Sequence, residues 1–336
     1  MSFKVGVTRD LMTATGGPCF NVAAFDELAK GQDVTWEWLA DDVSEILPAH
    51  IATYDALHIN LPRVTAGSLA AEEPRCRIIA RNGVGYDTVD IEAATARGII
   101  VTNTPLAVRR PVAVATLTLL FALAGRLFDK DALVRTGRWN ARVDYMGTGL
   151  TQRTLGLIGA GSIGREIIAL ARPFFGRIIA ADPYVSEADI AAAGGLKVER
   201  DEVFAQADFV VACALLTPET RHIVDAAAFA KMKPTAYFVN VGRGPLHDEA
   251  ALAKALASGR IAGAGLDVTE IEPLPADSPL LAAPNTIITP HALCWTDECF
   301  EDIARTALRS IADVSRGVRP RHVVNPAAAG RLEPRE

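Results

Sequence analysis

Cysteine is scarce and unpaired in this chain. There are five (Cys19, Cys76, Cys213, Cys294, Cys299), an odd number with no Cys-x-x-Cys spacing, which argues against a disulfide framework and against a zinc knuckle. The other histidine candidates for metal binding (His50, His58, His222, His247, His322) show no ligand spacing, so no metal is expected. Long apolar runs are missing too. The longest, residues 112–125, is fenced by Arg109, Arg110 and Arg126 and is too short to span a bilayer. Positive charge is not in excess: 34 Lys and Arg against 40 Asp and Glu give a net charge of −6. A phosphate backbone is repelled on average, and general nucleic-acid binding is disfavoured unless a local patch overrides it. The opening MSFKVGVTRD has no apolar signal core and no cleavage site, so a reduced cytoplasm is the expected compartment.

What is present is core-forming material. Half of the 336 residues are hydrophobic and 22% are charged, which sets disorder, collagen and coiled coil aside and suggests about two domains. Short apolar runs alternate with helix-period segments nearly throughout. Strands are expected at 4–7, 34–39, 56–60, 77–81 and 99–102, with helices such as 22–30 and 90–97 between them. A second series follows at 155–158, 177–181, 197–199, 208–212, 236–241, 263–268 and 286–289. Alternation of this kind predicts parallel sheets with crossover helices. Between the series lies Pro111–Asp131, whose stretch 112–127 is apolar almost all round and is expected in a core or a subunit interface. A loop is expected over 140–152, a helix over 297–316, and a loose tail from Pro326 onward. A helical C-terminus after the second series raises the prospect that the chain returns to its first domain.

Leu155-Gly-Leu-Ile-Gly159-Ala-Gly161-Ser-Ile-Gly164 reads as strand, tight turn and helix. Gly159 permits the turn, Gly161 lets the backbone approach a pyrophosphate, and Gly164 lets helix and strand pack closely. The N–H groups of Ser162 and Ile163 then point at the diphosphate, aided by the helix dipole. Asp182 closes the next strand, 18 residues past Gly164, where a carboxylate binds ribose hydroxyls and repels a 2′-phosphate. The next residues are Pro183 and Tyr184, not bases, so NAD is expected over NADP. The competing reading makes Asp182 a cap for a helix at 187–193.

Three polar residues follow successive strands of the second series: Arg243, Glu272 and His291. Carboxyl ends of strands in a doubly wound sheet are where ligands bind. A cation, a carboxylate and an imidazole suit hydride transfer to a keto acid. The imidazole donates a proton to the carbonyl oxygen, the carboxylate orients the ring and favours its charged form, and the guanidinium binds the substrate carboxylate and polarises the carbonyl. Each has a plainer reading: a surface charge, a turn cap before Pro273, and a loop histidine after Pro290.

The residues also resemble a family, the D-2-hydroxyacid dehydrogenases, over about 77–296. The specific pieces are Arg81-Asn-Gly-Val-Gly-Tyr-Asp-Thr-Val-Asp90, the glycine loop, Leu215-Leu-Thr-Pro-Glu-Thr220, Val239-Asn-Val-Gly-Arg-Gly244, Gly265-Leu-Asp-Val268, Glu272-Pro-Leu274 and Thr289-Pro-His291. The resemblance implies that Arg243 binds substrate, that His291 is the acid/base and that Glu272 is its partner. It implies that Asp267 holds the nicotinamide amide, and that backbone N–H groups at Val84 and Gly85 join the carboxylate cradle. Val241 and Gly242 are counted with the cofactor-binding residues. The implied architecture is a pair of doubly wound parallel-sheet domains, with a Rossmann NAD domain (104–293) inserted into a flavodoxin-like substrate domain (1–103 plus 294–336). It also implies a homodimer formed through the cofactor domain, a small 2-keto or 2-hydroxy acid as substrate (glyoxylate, hydroxypyruvate or similar), and no nucleic acid or membrane partner. An NAD(H)-sensing, co-repressor-like protein of the same fold is the alternative. Formate dehydrogenase is disfavoured, because that branch carries an amide where Glu272 stands.

The chain also departs from the pattern. Val112-Ala-Val114 lacks the acid that many relatives carry there, and Ala292-Leu-Cys-Trp295 replaces small residues after the histidine. Trp295 has two readings, a wall of the substrate pocket or packing at the domain boundary. Specificity is expected to depend on residues 9–11, Arg81, the stretch 145–147 and Trp295.

Overall fold

The computed structural model describes residues 2–330 and 332. The chain divides into two compact units, Met1–Val108 with Trp295–Glu336, and Arg109–Cys294. Each is built on one sheet whose named strands all pair in parallel.

The first unit holds β1 (Phe3–Val7), β2 (Val34–Trp38), β3 (Ala56–Ile59), β4 (Ile78–Arg81) and β5 (Ile100–Thr102) in the order β2-β1-β3-β4-β5. This is the flavodoxin-like winding. Successive residues alternate between its faces. Val5, Ala56, Ile78 and Ile100 pack with Phe300, Ala304, Leu308 and Ile311 of the helix Asp297–Ser315, while Leu57, Ile79 and Val101 pack with Ile46, Ile51 and Ala94 on the other side. The last helix of the chain therefore completes the core of the first unit.

The tail is not loose where it is described. Asn325 is buried; its Oδ1 accepts from Val101 N at 2.8 Å and its Nδ2 donates to Ile99 O at 2.9 Å. Pro326–Ala329 then forms a 3-10 turn with Ala329 in the core. A polar residue anchored by sheet-edge backbone looks in sequence like the start of a frayed end. Residues 331 and 333–336 of the expected tail lie outside the described residues. The expected helix at 22–30 is 3-10 throughout (Val22–Lys30), and part of the expected loop at 140–152 is a 3-10 stretch, Trp139–Tyr145.

The second unit holds β6 (Thr154–Ile158), β7 (Arg177–Ala181), β8 (Leu196–Lys197), β9 (Phe209–Ala212), β10 (Tyr237–Asn240), β11 (Gly263–Leu266) and β12 (Thr286–Ile288), ordered β12-β11-β10-β9-β6-β7-β8. Counted within the unit this is the Rossmann winding with one further strand, and the strand order reverses between β6 and β9. Leu155, Leu157, Val211 and Val239 meet Leu119, Leu120 and Leu123 of the helix Arg109–Gly125 and Ile167 of the helix Ser162–Ala171. The helix Arg109–Gly125 buries most of its residues, yet Val114 and Phe121 stay exposed. Among the described residues no single helix is long and apolar enough to cross a membrane.

One buried group in the first unit has a consequence for stability. His58 of β3 is fully buried, with Nε2 2.7 Å from Asn82 Oδ1. Burial outweighs the Asn82 bond and the Asp10 charge and pushes its pKa down to about 4. An unfolded histidine titrates near ~6.5, so unfolding takes up a proton between the two values. The stability His58 contributes is therefore complete above that range and is lost as pH falls toward 4. His58→Gln, which can still donate to Asn82, should remove about 2 kcal/mol of the loss seen on going from pH 7.5 to pH 5, read from urea unfolding. An unchanged pH slope would refute the account.

Candidate active site

The glycine loop leaves β6 where the strand order reverses. Gly159 has φ +100°, and a Cβ there would sit 2.7 Å from Ala214 N, so only glycine fits. A Cβ on Gly164 would meet Gly159 O at 2.5 Å, which is the close helix–strand approach expected of it. At Gly161 a Cβ would meet nothing within 4 Å, so the backbone is open to a large ligand. The helix Ser162–Ala171 begins here with Ser162 exposed, and its first-turn N–H groups are free of intrahelical acceptors by the geometry of any α-helix. These are the features a diphosphate requires.

Asp182 does not cap the helix Glu187–Ala193; Ser186 does that. Its Oδ2 accepts from Ala160 N at 2.8 Å, and its Oδ1 from Tyr184 N at 2.8 Å and Val185 N at 3.1 Å. The carboxylate is thus tied to the glycine loop itself, at the exit of the neighbouring strand.

Arg243, Glu272 and His291 follow β10, β11 and β12, three adjacent strands. His291 Nδ1 lies 2.8 Å from Glu272 Oε2, and both side chains are partly open to solvent. Thr269 N donates to Glu272 Oε1 at 3.2 Å. Burial raises the Glu272 pKa, but the His291 bond and charge, the Thr269 N–H and the Arg243 charge together outweigh it and hold the carboxyl below its usual range. Arg243 thus bears electrostatically on the acid–imidazole pair, while its Nη1 donates to Gly242 O at 2.9 Å. The β6 and β10 exits are separated by β9 alone, about 10 Å at ordinary strand spacing.

Asp267, at the end of β11, is almost fully buried. Its Oδ1 accepts from Thr289 Oγ1 at 2.6 Å, Ala292 N at 3.1 Å and Leu293 N at 3.1 Å. It grips the loop on both sides of His291, whose φ of +53° is a left-handed conformation costly for a residue with a Cβ. This bracing was not foreseen from the sequence, and neither was Thr289. In the first unit the 83–85 loop is held by Gly83 N donating to Thr104 Oγ1 at 2.8 Å and by Asn103 Nδ2 donating to Val84 O at 2.8 Å.

Some sequence expectations move. The Tyr145 ring lies 4.8 Å under the Arg126 guanidinium, and Arg126 donates to Asn285 just before β12 begins. The stretch 145–147 therefore sits at the amino-terminal edge of its sheet, opposite the strand ends that carry Asp267 and His291. A polar loop after an apolar helix gives no hint of which edge it will follow. Trp295 packs edge-on against Phe300 at 4.9 Å. Burial pushes the Cys213 and Cys76 thiols up to about 12 and the Cys19 thiol to about 11, so none of the three is a reactive thiolate.

A glycine-rich dinucleotide loop on a Rossmann-type sheet, with an acid–imidazole pair at neighbouring strand exits, defines a nucleotide-binding unit joined to a flavodoxin-like one. A family model described as D-isomer specific 2-hydroxyacid dehydrogenase, NAD binding domain, matches residues 117–292. The glyoxylate reductase of Korarchaeum cryptofilum is 35% identical over 293 residues, 86% of this chain and 88% of that protein. The D-3-phosphoglycerate dehydrogenase of Mycobacterium leprae is 38% identical over 291 residues, 87% of this chain and 53% of that protein. The crystal structure of the TT0316 protein from Thermus thermophilus aligns with a TM-score of 0.83 at 33% identity, covering 96% of this chain and 99% of that one. The chain belongs to the D-isomer specific 2-hydroxyacid dehydrogenase family, and its second unit carries the family's NAD-binding domain. It spans about half the length of the curated phosphoglycerate dehydrogenases it matches.

Proposed function

We propose that this chain is an NAD-dependent oxidoreductase that interconverts a small 2-keto acid, such as glyoxylate or hydroxypyruvate, and its 2-hydroxy acid. The observation that carries the reading is the 2.8 Å contact between His291 and Glu272, which follow adjacent strands beside the exit bearing Arg243.

The residues that would hold NAD are Gly159, Gly161, Ser162, Ile163 and Gly164 at the diphosphate, and Asp182 at the ribose. Val241, Gly242 and Asp267 would serve the nicotinamide end; Asp267 has one oxygen committed to the His291 loop and the other left for an amide donor. When bound, the reduced nicotinamide supplies the hydride. Arg243 binds the substrate carboxylate through its planar fork and draws charge toward the carbonyl oxygen. His291 holds a proton on Nε2 for that oxygen, since Nδ1 faces Glu272. Glu272 fixes the ring and stabilises its positive charge.

A homodimer formed through the second unit is part of the proposal. Its support is the apolar surface left open around the helix Arg109–Gly125: Val114, Phe121, Leu127, Phe128 and Phe174. A cytoplasmic location fits the reading.

The test is NADH oxidation against a panel of glyoxylate, hydroxypyruvate, pyruvate and larger keto acids, repeated with NADPH. Turnover with at least one small keto acid and a preference for NADH of about tenfold or more is expected, because the Asp182 carboxylate repels a 2′-phosphate. Folded protein that binds NADH tightly and turns over none of the panel would replace this reading with that of an NAD(H) sensor.

A further inference from the structure

We propose that Asn240 and His247 form a buried positioning pair for Arg243, in which an uncharged imidazole accepts a hydrogen bond from the Asn240 amide and that amide fixes the Arg243 turn. The inference rests on Arg243 being the carboxylate-binding residue.

Both residues are fully buried behind the β10 exit. Asn240 Oδ1 accepts from Gly242 N at 3.0 Å, which settles which end of the amide is oxygen. Asn240 Nδ2 then donates to Arg243 O at 2.9 Å and meets His247 Nδ1 at 2.9 Å. An amide nitrogen can only donate, so Nδ1 must offer a lone pair, and the ring is neutral with its proton on Nε2. The turn is closed from the other side by Leu246 N donating to Arg243 O at 3.0 Å and His247 N donating to Gly244 O at 3.1 Å. One amide therefore ties together the strand end, the carbonyl of Arg243 and the residue that follows the turn.

Packing alone does not account for a histidine here. Nε2 is buried with no hydrogen-bond partner among the described residues, a cost that an aliphatic residue of similar size would not carry. Three ionisable groups bear electrostatically on the ring: Glu270, His222 and Asp248. Burial lowers its pKa, Glu270 and Asp248 oppose that and His222 adds to it, and the balance falls at about 4. The ring thus stays uncharged where the enzyme would work. Were it protonated, two N–H donors would confront each other at Nδ1, and the amide would have to turn away from Arg243.

Two variants separate positioning from simple stability. His247→Leu removes the acceptor and should raise the keto-acid KM about tenfold with kcat changed less, whereas His247→Gln, whose amide oxygen can accept, should restore most of the affinity. Asn240→Asp replaces the donor with a carboxylate that repels Arg243 O. At pH 7.5 it should lower kcat/KM about a hundredfold and recover part of that loss toward pH 5.5, as a protonated His247 becomes able to donate to it. Asn240→Asp with His247→Leu should show no acid recovery. A wild-type KM in His247→Leu, or no recovery in the folded Asn240→Asp protein, overturns the pair. Independently of turnover, nitrogen NMR of labelled histidine should show His247 with a bare Nδ1 and a protonated Nε2 at pH 7; the opposite tautomer or a charged ring overturns it too. If the wild-type protein reduces no keto acid while His247 shows the expected tautomer, it is the role of Arg243 that fails.

Discussion

Arg243→Ala should lower kcat/KM for keto-acid reduction by roughly a thousandfold, the sum of a lost bidentate carboxylate bond and lost polarisation of the carbonyl. Both KM and kcat should change, because the guanidinium is used in the ground state and more strongly in the transition state. Its charge already helps to hold the Glu272 carboxyl ionised, so the effect will extend to the acid–imidazole pair. Arg243→Lys should recover little, since a point charge cannot replace a planar fork. Steady-state kinetics at saturating NADH make the measurement, with NADH fluorescence titration to show that the cofactor still binds. A loss of less than tenfold would mean that the substrate carboxylate is bound elsewhere.

The second large effect concerns His291. His291→Asn should reduce kcat about a thousandfold while leaving keto-acid KM within a few-fold. Asparagine is the better replacement than alanine because His291 sits at φ +53°, a region asparagine tolerates. Reduction takes up a proton as the hydride arrives, and His291→Asn leaves no group there to deliver it. Glu272 is held below the usual carboxylate range. Its contribution to folding is present above ~4.3 and is lost only as pH falls through its lowered value. Glu272→Gln removes the charge that stabilises the imidazolium and should lower kcat for reduction about tenfold. A His291→Asn protein that keeps more than about a tenth of the wild-type kcat, or a Glu272→Gln protein with kcat unchanged, would leave His291 without the assigned role.

Much of this was legible in the chain before any coordinates. Buried parallel strands read as short apolar runs, and every expected run falls on an observed strand with shifts of one or two residues at the ends. Gly159, Gly164 and Asp182 were legible because a tight turn, a close helix–strand contact and a strand-end carboxylate leave fixed spacings. Asn240 and His247 were not. A polar residue in a strand-exit motif reads as a solvated turn, and only three dimensions reveal that both are shut away from water. The same blindness hid Asp267 as a brace for His291, and Asn325 as an anchor for the tail, since a side chain bonded to distant backbone leaves no periodic trace. The stretch 145–147 was misplaced for a related reason: composition tells that a segment is a loop, not which edge of a sheet it will follow.

The first unit is assembled from both ends of the chain. Its sheet is made early during synthesis on the ribosome, but Phe300, Ala304, Leu308 and Ile311, which cover one face of it, emerge only after the whole second unit. Until then Val5, Ile78 and Ile100 have only Leu11, Phe20, Ala24 and Leu28 to cover them, and they wait for the time needed to translate nearly two hundred residues, on the order of ten seconds or more. The nascent polypeptide has its stickiest interval there, and chaperone demand should concentrate in it.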